Sequence, residues 1–87
     1  LGYQNQELPT IVIGVMYSAR EEVLELSLRC GKGVVVNKMA DKLWGGGGHP
    51  KASGARWTTD VIDFEKIMND VTDFILGNPD DVFISDK

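Results

Sequence analysis

The chain has a single cysteine and a single histidine in its 87 residues. A lone Cys30 excludes an internal disulfide and favours a reducing compartment, so we expect the cytoplasm. One Cys and one His cannot supply the ligands of a zinc site, and Cys30 has no histidine near it in sequence to activate it. No apolar run approaches the roughly 18 residues of a membrane span, and no charged-then-apolar segment opens the sequence. Internal repeats and low-complexity tracts are also missing. The sequence starts at Leu1 rather than at a methionine, and we expect it to be one piece of a longer protein.

What is present is the composition of one small globular domain, with 43% apolar and 25% charged residues. A net stability of roughly 0.05–0.15 kcal/mol per residue leaves such a domain little margin. The net charge of −4 is unevenly placed. Residues 1–28 carry −3, residues 29–59 carry +5, and residues 60–87 carry −6. An acidic chain is a poor nonspecific binder of nucleic acid, whereas a basic middle segment attracts an anionic ligand.

The alternation of residue types predicts the elements. The β-branched run "TIVIGVMYS" predicts a strand over Ile11 to Tyr17. In "EVLELSLRC", Leu24, Leu26 and Leu28 share one face while Glu25, Ser27 and Arg29 share the other, which predicts a second strand and a hairpin. Val36, Met39, Ala40, Leu43 and Trp44 fall at helical spacing, with Asn37 as the expected N-cap and Gly45 as the stop. "ASGARWT" reads as a third strand. Asp60 is the expected cap of a longer helix striped by Phe64, Ile67, Met68, Val71, Phe74 and Ile75, ending at "GNP". "DVFIS" is a short last strand or a tail. The fold class expected is α/β: a small mixed sheet with helices packed on it, in the order β-β-α, glycine loop, β-α, then an optional β.

Glycine is the one residue used in excess. "GGGGHPKASGAR", Gly45 to Arg56, runs four glycines into the only histidine. Each glycine costs roughly 0.5–1 kcal/mol relative to alanine in ordered backbone, and one would have sufficed to stop the helix. Either the loop turns through left-handed conformations and packs tightly, or a ligand approaches its backbone. Successive backbone N–H groups form a nest for anions, and His49 and Lys51 add donors. The loop is neither a P-loop nor a dinucleotide-binding fingerprint, because a strand follows the glycines where those motifs open a helix.

"GGGGHPKASGA" closely resembles the glycine-histidine motif of the DHH-associated domain, the C-terminal domain of the DHH-family phosphoesterases. "LSLRC" is similar to that family's Ser-x-Arg strand, and "VVVNKMADKLWGGGGH" to its short helix leading into the loop. The likeness covers about Ile11 to Leu76 and points to the branch of bifunctional oligoribonuclease and phosphoadenosine phosphate phosphatase. It differs from the related domain of alanyl-tRNA synthetases, whose loop lacks the Gly-His-Pro-Lys form.

The resemblance implies that residues 1–87 form a single substrate-binding domain of a two-domain protein. The missing N-terminal domain would hold two manganese ions and cleave by metal-activated water. No cofactor is then expected on this piece, which alone would be inactive. Substrates would be short single-stranded oligoribonucleotides or small nucleotide phosphates. Carried over by position, Gly46, Gly47, Gly48 and His49 would line the substrate, with Arg29 and Ser53 as helpers and Arg20 as a weaker candidate. Trp44 and Trp57 are candidates to stack a base, Trp44 being more at home in the core. A homodimer is left open. Two rival readings stand beside this one. The first is a nucleic-acid or nucleotide binding module without hydrolase activity. The second is a structural or dimerising domain whose glycines only pack.

Overall fold

The run Ile11–Ser18 forms β1, and the alternating run Val23–Cys30 forms β2. They pair as the expected antiparallel hairpin, from Ile11 opposite Cys30 to Ser18 opposite Val23. A computed structural model provides these coordinates and describes residues 10–84. Helix α1 spans Asn37–Trp44. The glycine loop then supplies a strand of its own, β3 at Gly47–His49, which turns back into β4 at Ala52–Thr58. The second helix, α2, spans Phe64–Gly77, and a short 3-10 turn follows at Pro79–Asp81.

The sheet order is β1-β2-β4-β3. The α/β class with helices on a small sheet is therefore present, but the sheet is not mixed. All three pairings are antiparallel. For two of them the reason lies in the connection: short turns join β1 to β2 and β3 to β4, and a turn of that length closes only an antiparallel pair. The segment expected as a last strand or tail makes one antiparallel bridge, Val34 with Phe83. Bonds from Val35 N–H to the Val82 carbonyl and from Ile84 N–H to the Gly33 carbonyl fasten it to the β2–α1 connection.

Two expected caps move. Val36, not Asn37, sits at the N-cap of α1, without a side-chain cap. Its N–H is taken by the Pro50 carbonyl at 2.8 Å, so the β3–β4 turn anchors the start of α1. At α2 the cap is Asp63 rather than Asp60: the Asp63 carboxylate accepts from the Lys66 N–H. Residues 61–63, outside any helix or strand, separate Asp60 from the first helical turn. Gly45 stops α1 as expected, in the left-handed region at φ 70°.

Both helices cover one face of the sheet. Leu24, Leu26 and Leu28 point into that layer, where they meet Val34, Val36, Met39, Ile67, Val71, Phe74 and Val82. Burying each such side chain contributes roughly 1.5–3 kcal/mol, and the core rests on β2 because it has a strand on both sides from Val23 to Arg29. Within the stripe expected for α2, Phe64 and Met68 stay more than half exposed. The opposite face of the sheet carries no described element: Val12, Met16, Ser27, Arg29 and Arg56 are all exposed there. Among the described residues no helix is long and apolar enough to cross a membrane.

Candidate functional site

The open face is a grid set by strand register. Arg29 of β2 lies opposite Ala52 of β4, and Ala52 lies opposite His49 of β3. Directly opposed residues in a sheet point to the same side. Arg29 and His49 therefore flank the small Ala52 on the open face, roughly 10 Å apart between their Cα atoms at two strand spacings. The next row is made of the smallest residues: Gly14 opposite Ser27, Ser27 opposite Gly54, Gly54 opposite Gly47. Beyond it Glu25 and Arg56 face each other and pair at 3.5 Å. A shallow floor of glycine and serine thus runs beside a bank bearing Arg29 and His49.

Arg29 is exposed and makes no ion pair among the described residues, whereas Arg56, Lys38 and Lys66 each hold an acid. Its guanidinium is available to an incoming anion, and such a fork suits a bidentate phosphate contact. His49 is also exposed, and its ring folds back so that Nδ1 accepts the Lys51 main-chain N–H at 3.0 Å. The Lys51 ammonium is not free. It donates to the Gly31 and Val34 carbonyl oxygens at 2.9 and 2.8 Å, pinning the turn after β3 to the β2–α1 connection.

The four glycines divide by cause. Gly45 needs its left-handed conformation to end α1. A Cβ on Gly46 would collide with the Gly54 carbonyl oxygen and come within 2.9 Å of the Ala55 Cα. Gly48 combines φ 138° with backbone atoms 3.0 and 3.1 Å from any Cβ. Gly47 has no such cause: its φ is ordinary and nothing lies within 4 Å of a Cβ built there. The helix stop explains Gly45 and close packing explains Gly46 and Gly48; only Gly47, on the open face beside His49, has neither cause.

Other residues singled out by sequence fall elsewhere. Ser53 is 7% exposed and on the core side, where its hydroxyl donates to the His49 carbonyl at 2.6 Å. It holds the loop and does not reach the open face. Arg20 sits in the β1–β2 turn, at the end of the hairpin away from Arg29. Trp44 and Trp57 stack on each other, with ring centroids 6.1 Å apart and planes inclined by 17°. They wall a cleft of about 550 Å³ with Leu24, Leu43 and Ile67 on the helix side of the sheet, so neither ring stands beside His49. Cys30 donates its thiol hydrogen to the Val34 carbonyl at 3.0 Å. Burial pushes its pKa up, with the Lys51 charge pulling the other way, as befits an unreactive thiol.

Ser27, a hydroxyl on the open face between Gly14 and Gly54, was not among the candidates read from sequence. The signal for it was present: it sits two residues before Arg29 and therefore on the same face. No set of three or more His, Cys, Asp or Glu side chains that could hold a metal occurs among the described residues. Comparison of the chain with protein-family models, with curated proteins and with solved structures gives no match.

Proposed function

We propose that this chain is a phosphate-gripping, substrate-binding domain, and that it serves a phosphoesterase of the DHH type acting on short oligoribonucleotides or small nucleotide phosphates. The observation that carries the reading is the row Arg29, Ala52, His49 above a floor of Gly14, Ser27, Gly54 and Gly47. Two side chains that donate hydrogen bonds flank a gap left by a methyl group. An anion settling there meets the Arg29 guanidinium on one side and the His49 ring on the other. Each charge-assisted hydrogen bond contributes about 1.5–3 kcal/mol, and the absent side chain at Gly47 lets the ligand approach the backbone.

The hydrolytic step belongs, in this reading, to a separate manganese-holding domain that closes against the open face. This chain binds and orients the substrate; a reducing cytoplasm is the setting that fits its free thiol. The two tryptophans on which a nucleic-acid module would stack bases lie on the helix side of the sheet, away from the Arg29–His49 row.

The test is an amide NMR titration of the 87-residue chain with phosphoadenosine phosphate and with a short RNA. We expect selective shifts at Gly47, His49, Ser27 and Arg29, and no hydrolysis with manganese added. Metal-dependent turnover by this chain alone would overturn the division of labour. Shifts confined to the tryptophan cleft would overturn the site.

A further inference from the structure

We propose that Lys51 is a positioning residue that fixes His49 as a hydrogen-bond donor, so that the ring offers an N–H at Nε2 and accepts no proton from its ligand. The inference rests on the reading of this loop as a phosphate grip and specifies which oxygen chemistry the grip selects.

The Lys51 main-chain N–H donates to His49 Nδ1 at 3.0 Å. A ring nitrogen that accepts a hydrogen bond carries no proton, so the neutral ring holds its one proton on Nε2. The atoms that make this bond are held from three sides. The Lys51 ammonium is tied to the Gly31 and Val34 carbonyls. The His49 carbonyl accepts from Ser53 at 2.6 Å. The Pro50 carbonyl between them accepts from the Val36 N–H at 2.8 Å. Every residue of the His49–Pro50–Lys51 turn is thus fastened, Pro50 and Lys51 to the segment between β2 and α1 and His49 to β4, and the ring has only its two side-chain torsions left to choose.

The chemical consequence is specific. In this tautomer the Nδ1 lone pair is engaged and Nε2 has none to give. Neutral His49 then acts neither as a general base nor as a metal ligand. Arg29, its neighbour across Ala52, is likewise a donor with no acceptor atom. The pair therefore selects an oxygen that only accepts, which is the oxygen of a phosphate mono- or diester. A base edge that alternates donors and acceptors is matched poorly, so the grip recognises the phosphoryl group and not the base.

The experiment is a long-range ¹⁵N–¹H correlation of the histidine ring in the 87-residue chain, without ligand, at a pH where the ring is neutral. We expect one pattern, with Nε2 protonated and Nδ1 bare. The reverse pattern, or an average of the two tautomers, would overturn the proposal. This readout needs no ligand, so it stands or falls independently of phosphate binding. Lys51→Met keeps the main-chain N–H and removes the ammonium. It should keep the tautomer while amide exchange at Gly48 and His49 speeds up; a lost tautomer would overturn the assignment to the main-chain donor. Lys51→Gln, which also keeps the main-chain N–H and removes the cation, serves the same comparison should the methionine variant unfold. Added inorganic phosphate should move the Nε2–H resonance with the tautomer retained. Transfer of the proton to Nδ1 on binding would overturn the donor role, and an unmoved resonance would refute the phosphate reading while leaving the ligand-free tautomer intact.

Discussion

The Ser53 hydroxyl reaches across the β3–β4 hairpin and donates to the His49 carbonyl oxygen at 2.6 Å. One strand residue with its side chain buried thereby sets the backbone of the neighbour whose own ring faces outward. Removing it should loosen the loop without touching the ligand directly. Ser53→Ala is expected to cost about 0.5–1.5 kcal/mol of stability, read by urea denaturation, with faster amide exchange at His49. A loss of ligand affinity as large as that of an open-face variant, without a change in exchange, would contradict this role.

The glycines give a sharper contrast. Gly46→Ala drives a methyl group into the Gly54 carbonyl and the Ala55 backbone, and overpacking of that kind costs about 1–3 kcal/mol or more. Gly47→Ala meets open space at an ordinary φ, and should be neutral or stabilising by about 0.4–1 kcal/mol. Thermal melts of the two variants, side by side, measure this. In a phosphate titration Gly47→Ala should still bind more weakly, because its methyl stands where the ligand approaches; unchanged binding would leave the loop a packing device.

Arg29 is exposed and unpaired among the described residues, so its replacement tests binding with little effect on folding. Arg29→Ala should leave the melting curve within about 0.5 kcal/mol of the parent. It should reduce affinity for a phosphate ligand by about 10- to 100-fold, the loss of one charge-assisted contact. Arg29→Lys should recover only part of this, since an ammonium lacks the planar fork. Isothermal titration across the three proteins decides it.

The cap of α2 separates two aspartates three residues apart. Asp63 accepts the Lys66 N–H at 3.0 Å, and Asp63→Ala should cost about 1 kcal/mol. Asp60→Ala should be near neutral. Urea midpoints of the pair would reverse if the cap lay where the sequence pattern first puts it.

Cys30 adds a pH dependence. Burial disfavours its thiolate, so its folded-state pKa is raised above the unfolded value. Stability from this source is fully present below the unfolded thiol value of about 8.5 and is lost as pH rises through the higher folded value. Denaturation curves between neutral and strongly alkaline pH should show that decline, and Cys30→Ala should flatten it. Alkylation at neutral pH should likewise be slower in the folded chain than in denaturant.

The positions of β1, β2, β4, α1 and α2 were legible in the sequence because each depends on a local period; β3 was read as loop, because Gly47–His49 carries no alternation of apolar and polar residues. Alternation in "EVLELSLRC" gave β2 and its two faces, and the spacing of Met39, Ala40 and Leu43 gave α1. The same alternation already put Ser27 beside Arg29. The caps were less legible: Asn37 and Asp60 are suitable residue types, but which residue caps depends on where the chain leaves extended geometry, and here contacts such as Pro50 to Val36 decide that. By itself, then, the sequence determined the α/β class, the hairpin, the helix stop at Gly45 and the glycine-histidine loop as the place to look. Only the tertiary structure decided that the sheet is wholly antiparallel, that Ser53 faces inward while Arg29 and His49 share the open face, and that Gly47 alone among the four glycines has neither a left-handed backbone nor a close neighbour to require it. Those are properties of register between strands distant in sequence, and no local pattern encodes which residue of β3 lies opposite which residue of β4.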